Sequence, residues 1–228
     1  MLTRDDAALC ERLDCSFRQP ALLLRALTHR SYSSEHYERL EFLGDSVLGA
    51  VIARHLLEAY PALNEGDLSR LRSNLVKEET LATLAQQLDL GRLLRLGEGE
   101  RKSGGQQRVS ILADAMEALF GAVFLDQGYA AAERVVLKLY VPYLQQVDVH
   151  TLGKDPKTLL QEYLQARRLA LPSYRIVATE GQAHEQSFRV ECTVAATKLV
   201  TRGTGSSRRN AEQQAAQAAY QQLIATHD

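Results

Sequence analysis

Acidic residues in two short segments are the side chains of this sequence whose spacing could support chemistry. Glu38, Glu41 and Asp45 follow one another at i, i+3 and i+7, so on a helix that turns about 100° per residue their carboxylates lie within about 60° of one another. Asp114 and Glu117 are spaced i, i+3 in a segment that is otherwise almost wholly apolar. The spacing predicts two carboxylate groups, each on one face of a helix.

The surroundings of the two groups favour different interpretations. The first group lies opposite an apolar stripe, which is also typical of an ordinary solvated helix face. The second group is flanked by apolar residues, and buried like charges must be protonated, paired or bound to a cation. Magnesium prefers such oxygen ligands, and two magnesium ions can activate water and stabilise the leaving oxygen in phosphodiester cleavage. The spacing therefore suggests a metal site and leaves the reaction open.

The elements that carry these acids follow from hydrophobic periodicity. Apolar residues recur at helical spacing from Leu9 to about Leu144, which predicts an all-helical first domain over 1–147. A polar stretch over 148–155 is expected to be a linker. Beyond it, the pattern predicts a small α+β domain over 156–226 with the order α-β-β-β-α: a helix over 156–168, strands over 174–179, 187–195 and 199–203, and a helix from about 207.

Composition and charge limit the class of protein. The chain has 228 residues, of which 45% are hydrophobic and 24% charged, which excludes a disordered chain. The net charge of −1 divides into −4 for residues 1–150 and +3 for residues 151–228, which suggests separate tasks for the two halves. The three cysteines lack paired metal or redox spacing, and neither a leader nor a membrane span is evident, so we expect free thiols and a cytoplasmic protein.

A second chemical signal lies near the start of the last helix. Ser207, Arg208 and Arg209 stand where a helix offers unpaired backbone N–H groups and a favourable dipole. Cationic side chains at such a position favour phosphate. The sequence thus predicts a phosphate-binding helix end.

Five motifs in order make the chain resemble the ribonuclease III family. They are 38-ERLEFLGDS-46, preceded by 28-THRS-31 and followed by 65-EGDLSR-70, 102-KSGG-105 and 113-ADAMEAL-119. The resemblance implies that Glu41, Asp45, Asp114 and Glu117 form a catalytic cluster for magnesium, with two ions per site during catalysis. It further implies hydrolysis of double-stranded RNA to 5′-phosphate and 3′-hydroxyl ends with short 3′ overhangs, RNA contacts by Glu38 and Glu65, and a homodimer with Phe42 at its interface. Tyr37 is a departure, since an asparagine often precedes the first glutamate.

The second domain resembles the double-stranded-RNA-binding domain, which recognises the shape of A-form RNA. The resemblance implies minor-groove contacts by Thr158, Gln161, Glu162 and His184, and phosphate contacts by Ser207, Arg208 and Arg209. Gln182 stands where many relatives have proline. The family's usual substrates, ribosomal precursor RNA and structured messages, are expected here.

Two other functions stay open at this stage. A non-catalytic double-stranded-RNA-binding regulatory protein would keep the helical domain for dimerisation only, yet such a protein is expected to lose its metal ligands, and all four are present. A phosphohydrolase of small molecules would leave the second domain without a purpose. His29 is interpreted as mainly structural, and the loop over 102–108 either as a plain connector or as a further phosphate contact.

Overall fold

The computed structural model describes residues 3–149, 151, 154–180 and 186–225. The chain divides into two compact units, of which the first ends at Asp148 and the second begins at Val149. The first unit is helical, as predicted. Its helices are α1 (Arg4–Leu13), α2 (Pro20–Ala26), α3 (Glu38–Ala59), α4 (Glu65–Leu75), α5 (Glu78–Gln87), α6 (Leu90–Leu93), α7 (Glu98–Lys102), α8 (Val109–Gln127) and α9 (Tyr129–Leu144), with a 3₁₀ turn at Gly105–Gln107.

Helix α8 forms the centre of the first unit. It is apolar on nearly every side, a pattern that marks a helix enclosed by its neighbours, and residues such as Met116, Leu119 and Phe120 are fully buried. Helices α2, α3, α5 and α9 all pack against it. Across the described ranges, none of the helices is both long and apolar enough to cross a membrane. The acids of α8 therefore interrupt a helix most of whose other side chains are buried in the core.

Two glycines allow α3 and α8 to cross with their backbones in contact. A Cβ atom built on Gly44 of α3 would lie 1.8 Å from the carbonyl oxygen of Glu117 on α8. A Cβ atom on Gly121 of α8 would lie 2.2 Å from the carbonyl oxygen of Leu40 on α3. No other residue type fits at these points, since only glycine lets a second backbone approach so closely. The crossing fixes the distance between the two acid-bearing helices.

The second unit has the predicted order α-β-β-β-α. Its elements are α10 (Pro156–Ala166), β1 (Ser173–Glu180), β2 (Ser187–Val194), β3 (Leu199–Gly205) and α11 (Arg208–Ala225). The strands form an antiparallel sheet in the order β1-β2-β3. Val190, Cys192 and Val194 of β2 are fully buried and alternate with more exposed residues, because one face of the sheet is covered by α10 and α11.

Two elements of the second unit, α10 and β2, end earlier than the sequence predicted. Helix α10 ends at Ala166 rather than at 168, because Arg168 takes the left-handed conformation with φ of 56°. This reversal brings Leu169 against the core of the second unit. Ala195, expected at the end of β2, instead starts a short 3₁₀ turn.

Candidate metal centre and nucleic-acid interface

The crossing of α3 and α8 brings three of the predicted metal ligands together. Glu41 comes from α3, and Asp114 and Glu117 come from successive turns of α8. One carboxylate oxygen of each lies within 4.8 Å of the others, and all three side chains are half-buried. The oxygen atoms are therefore close enough to share one cation and too close to be jointly ionised at low cost without one.

The electrostatics of the cluster reflect this crowding. Burial, together with the charges of Asp45, Glu41 and Asp114, raises the pKa of Glu117 to about 8. The pKa of Glu41 is raised by burial and then by Asp114, and burial also raises the pKa of Asp114. A cation among these groups would reverse every one of these shifts, because an opposite charge nearby favours the ionised form.

Asp45, the fourth predicted ligand, lies at the edge of the cluster. Its side chain is exposed, and its oxygens are not within the 4.8 Å group. After burial, however, the charge of Asp45 is the largest influence on the pKa of Glu117. Asp45 is thus an electrostatic neighbour of Glu117 on the solvent side.

A cleft of about 600 Å³ opens beside the cluster and is lined by Glu41 and Asp114. Glu38 lies in the same cleft, where Arg30 donates to it at 3.3 Å. The exposed edge also holds the ion pair between Arg108 and Glu100, at 2.8 Å. The opening beside the cluster is therefore lined by both acids and arginines.

Two further acids differ from the prediction: Glu65 lies in a different cleft from the acidic cluster, and Glu78 lies near the cluster although it was not predicted there. Glu65, predicted to line the same site, begins α4 and accepts a hydrogen bond from Ser69 at 2.7 Å in a separate cleft. Glu78 was not predicted, yet its charge raises the pKa of Asp114. It starts α5, which packs against α8. Since Glu78 and Asp114 are 36 positions apart in the sequence, no local spacing could have indicated their proximity.

Phe42, predicted at a dimer interface, is the most exposed large apolar side chain of the described residues, at 78%. Its exposure contrasts with that of Tyr37, which is buried in the core beside the ring of His29. His29 accepts at Nδ1 from the backbone N–H of Ser31 at 3.1 Å. These contacts give His29 a role in holding the chain that precedes α3.

The predicted RNA-contacting residues of α10 lie at or near its first turns. Thr158 is tied to Asp155, which accepts from its backbone N–H and from its hydroxyl at 3.1 Å. Gln161 and Glu162 are exposed on the next turn, and Glu162 pairs with Lys154. His184 lies outside the described residues, as does Gln182.

At the start of α11, two of the three predicted phosphate-binding residues already have partners within the second unit. Ser207 accepts from the backbone N–H of Asn210 at 3.2 Å, so it caps the helix. Arg208 pairs with Glu212 at 2.7 Å, and Lys157 of α10 pairs with the same carboxylate at 2.6 Å. Although burial opposes it, these hydrogen bonds lower the pKa of Glu212. Arg209 is exposed and forms no ion pair within the described ranges, so it is the more available cation.

Comparisons with known proteins match both units of the chain to described families. Residues 19–144 match the ribonuclease-III-like family, and residues 156–223 match the double-stranded RNA binding motif. The chain is 61% identical over 218 residues to ribonuclease 3 of Thiobacillus denitrificans, covering 96% of both chains. It is also 61% identical over 213 residues to ribonuclease 3 of Bordetella pertussis, covering 93% of this chain and 83% of the relative.

Solved structures show the same likeness for the first unit. A crystal structure of the nuclease domain of ribonuclease III from Campylobacter jejuni is 39% identical with a TM-score of 0.60, covering 65% of this chain and all of that one. A second structure of that domain, which describes flexibility in a region involved in dimer formation, is 42% identical with a TM-score of 0.57, covering 57% and 92%. By its helical nuclease fold, its acidic cluster and these relatives, the chain belongs to the ribonuclease III family.

Proposed function

We propose that this chain is a magnesium-dependent endoribonuclease that hydrolyses double-stranded RNA and leaves 5′-phosphate and 3′-hydroxyl ends with short 3′ overhangs. The observation that carries the proposal is the convergence of Glu41, Asp114 and Glu117 within 4.8 Å. It occurs in a chain that also matches a double-stranded RNA binding motif. From the family resemblance, the proposed substrates are ribosomal precursor RNA and structured messages.

The donor set fits a hard divalent cation. All the side chains of the cluster offer oxygen, the ligand type that magnesium prefers, and the raised pKa of Glu117, about 8, reflects burial and repulsion that a cation would relieve. We propose that Glu41, Asp45, Asp114 and Glu117 hold magnesium, with two ions per site during catalysis. When bound, magnesium supplies activation of water and stabilisation of the leaving oxygen.

The chain's own contribution is to hold these carboxylates and to orient RNA beside them. Helices α3 and α8 fix the acids through their backbone contact at Gly44. Glu38, in the adjoining cleft, is proposed to accept a hydrogen bond from a ribose 2′-hydroxyl, a group that distinguishes RNA from DNA. We propose the same role for Glu65 on α4.

The second unit is proposed to hold the duplex through two helices. Thr158, Gln161 and Glu162 of α10, together with His184, would contact minor grooves. Ser207, Arg208 and Arg209 at the start of α11 would contact the phosphates between them. This division agrees with the shape-based binding expected of the motif, which spans about 16 base pairs.

Arg209→Ala is expected to weaken duplex binding several-fold for all sequences and to flatten the salt dependence of log Kd by about one unit, because each lost phosphate contact removes about one released counterion. Arg208→Ala is the matched control, with a smaller effect expected because Arg208 is already paired with Glu212. For both variants, the Kd for duplex RNA is measured with the full chain, without magnesium, across a range of salt concentrations. An unchanged slope for Arg209→Ala would remove this residue from the interface.

We further propose a homodimer with Phe42 at its interface. The 78% exposure of this ring is costly in water, and aromatic side chains are frequent anchors of interfaces. Phe42→Ala is expected to weaken dimerisation about thirtyfold, which corresponds to about 2 kcal/mol, as measured by sedimentation equilibrium. Leu125→Ala, at another exposed apolar position, is the control. A wild-type chain that sediments as a monomer at high concentration would contradict the dimer.

Incubation of the full chain with a long RNA duplex, with and without magnesium, tests the proposed function. Cleavage that requires magnesium is expected. Binding without cleavage would instead favour a non-catalytic double-stranded-RNA-binding regulatory protein.

The cytoplasm is the proposed location, because Cys10, Cys15 and Cys192 are free thiols, which suit a reducing compartment.

A further inference from the structure

Tyr140 of α9 carries a buried polar group for which the described part of the fold supplies no partner. Its side chain is 0% exposed, and its hydroxyl forms no hydrogen bond with any described residue. A buried hydroxyl without a partner lowers stability, and phenylalanine would fill the same space without that cost. The hydroxyl therefore calls for a role other than packing.

The surroundings of Tyr140 point to the acidic cluster. Helix α9 packs against both α3 and α8, the helices that bear the cluster. A phenol carries its proton at neutral pH and is a hydrogen-bond donor. After burial, the charge of Glu117 is the largest influence on the raised pKa of this phenol, so Glu117 is the acid whose charge acts on it. The other titratable neighbour is Tyr143, whose ring centroid lies 5.9 Å away and which brings no anion.

We propose that Tyr140 is a positioning residue whose hydroxyl donates, directly or through one water, to the carboxylate of Glu117 when that carboxylate binds a divalent cation. The inference rests on the proposed function of the cluster. Carboxylates that bind metals are usually oriented by hydrogen bonds from surrounding groups, and loss of such a partner typically costs 10- to 100-fold in affinity. In this role Tyr140 supports a ligand whose charged neighbours, Asp45, Glu41 and Asp114, are all acids.

Tyr140→Phe in the full chain tests this role, with Tyr143→Phe as the matched control. The probe is Mn²⁺ alone, titrated without RNA and followed by electron paramagnetic resonance, together with thermal unfolding in a chelator. Tyr140→Phe is expected to bind Mn²⁺ about tenfold more weakly than the wild type, while its metal-free unfolding midpoint stays equal or rises by about 3 °C. Tyr143→Phe is expected to bind within about twofold of the wild type.

The outcomes separate the possible failures. Equal Mn²⁺ affinity in Tyr140→Phe and wild type would overturn the inference and leave the proposed function intact. A lower metal-free midpoint together with weaker binding would show a merely structural role and would also overturn it. A wild-type chain that binds no Mn²⁺ would overturn the proposed function itself, and the inference with it.

Discussion

Replacement of Glu117 by glutamine is expected to slow cleavage of duplex RNA at least about a thousandfold, which corresponds to about 4 kcal/mol of lost transition-state stabilisation. The amide keeps the size of the side chain and removes the charge that the cluster would offer to a cation. Because the second unit is untouched, affinity for the duplex should stay within about twofold of the wild type. Cleavage rates at saturating magnesium, and binding without magnesium, provide the measurement.

The same variant is expected to be more stable than the wild type when both are free of metal at pH 8. The folded-state pKa of Glu117 is raised from 4.5 to about 8, so the contribution of this carboxyl to folding is complete below pH 4.5 and is lost as the pH rises through about 8. Glutamine does not titrate. Allowing for partial exposure, the difference in unfolding free energy should reach about 1–2 kcal/mol at pH 8.

Denaturant unfolding in a chelator, repeated between pH 4.5 and 8.5, measures this difference. Glu11→Gln, at an exposed position on α1, is the matched control and should change neither cleavage nor stability. If Glu117→Gln were less stable than the wild type at pH 8, the electrostatic account of the cluster would be wrong. If it cut RNA as fast as the wild type, Glu117 would not belong to the site.

Gly44→Ala is expected to lower the free energy of unfolding by about 3 kcal/mol and to abolish most of the cleavage activity. The added methyl group would lie 1.8 Å from the carbonyl oxygen of Glu117, which is backbone and cannot turn away. Helices α3 and α8 must separate to admit it. Such a movement would draw Glu41 away from Asp114, so weaker binding of Mn²⁺ should accompany the loss of stability.

Gly49→Ala provides a control on the same helix. A Cβ atom there meets nothing within 4 Å, so alanine should stabilise α3 by about 0.5–1 kcal/mol through its higher helix propensity. Thermal and denaturant unfolding of the two variants side by side makes the comparison. A similar loss of unfolding free energy in both variants would contradict the assignment of Gly44 to a backbone crossing.

The sequence predicted the helical spacing of the acids, but its spacing alone did not predict that acids of two different helices lie close together. Period and composition predicted that Glu41 and Asp114 lie on separate helices, and the family resemblance implied that they share a site. The two helices are brought together by the packing at Gly44 and Gly121. The sequence around a helical glycine does not show whether a second backbone packs against it or whether the glycine is merely tolerated at that position. The charge of Glu78 near Asp114 depends likewise on how α5 packs.

The second unit shows the same limit. Alternating hydrophobicity predicted its strands to within one or two residues, because a sheet covered on one face leaves a strong period of two. The end of α10 was placed two residues late, since the left-handed conformation of Arg168 has no glycine to announce it. The pairing of Arg208 with Glu212 follows i, i+4 spacing within α11, whereas the pairing of Lys157 with the same carboxylate joins two helices and could not be read from either one.

If the start of α11 binds phosphate as proposed, the carboxylate that Arg208 and Lys157 share, that of Glu212, would give it a selectivity that a bare cationic patch would lack. A phosphate that approaches Arg208 must compete with an anion already seated there at 2.7 Å. A free nucleotide would replace the carboxylate of Glu212 by one phosphate group, and this exchange of one anion for another would gain little free energy. A duplex engages several contacts at once, so the summed attraction outweighs the displaced ion pair. If α11 binds phosphate as proposed, the buried carboxylate of Glu212 would therefore disfavour small phosphorylated molecules relative to duplex RNA.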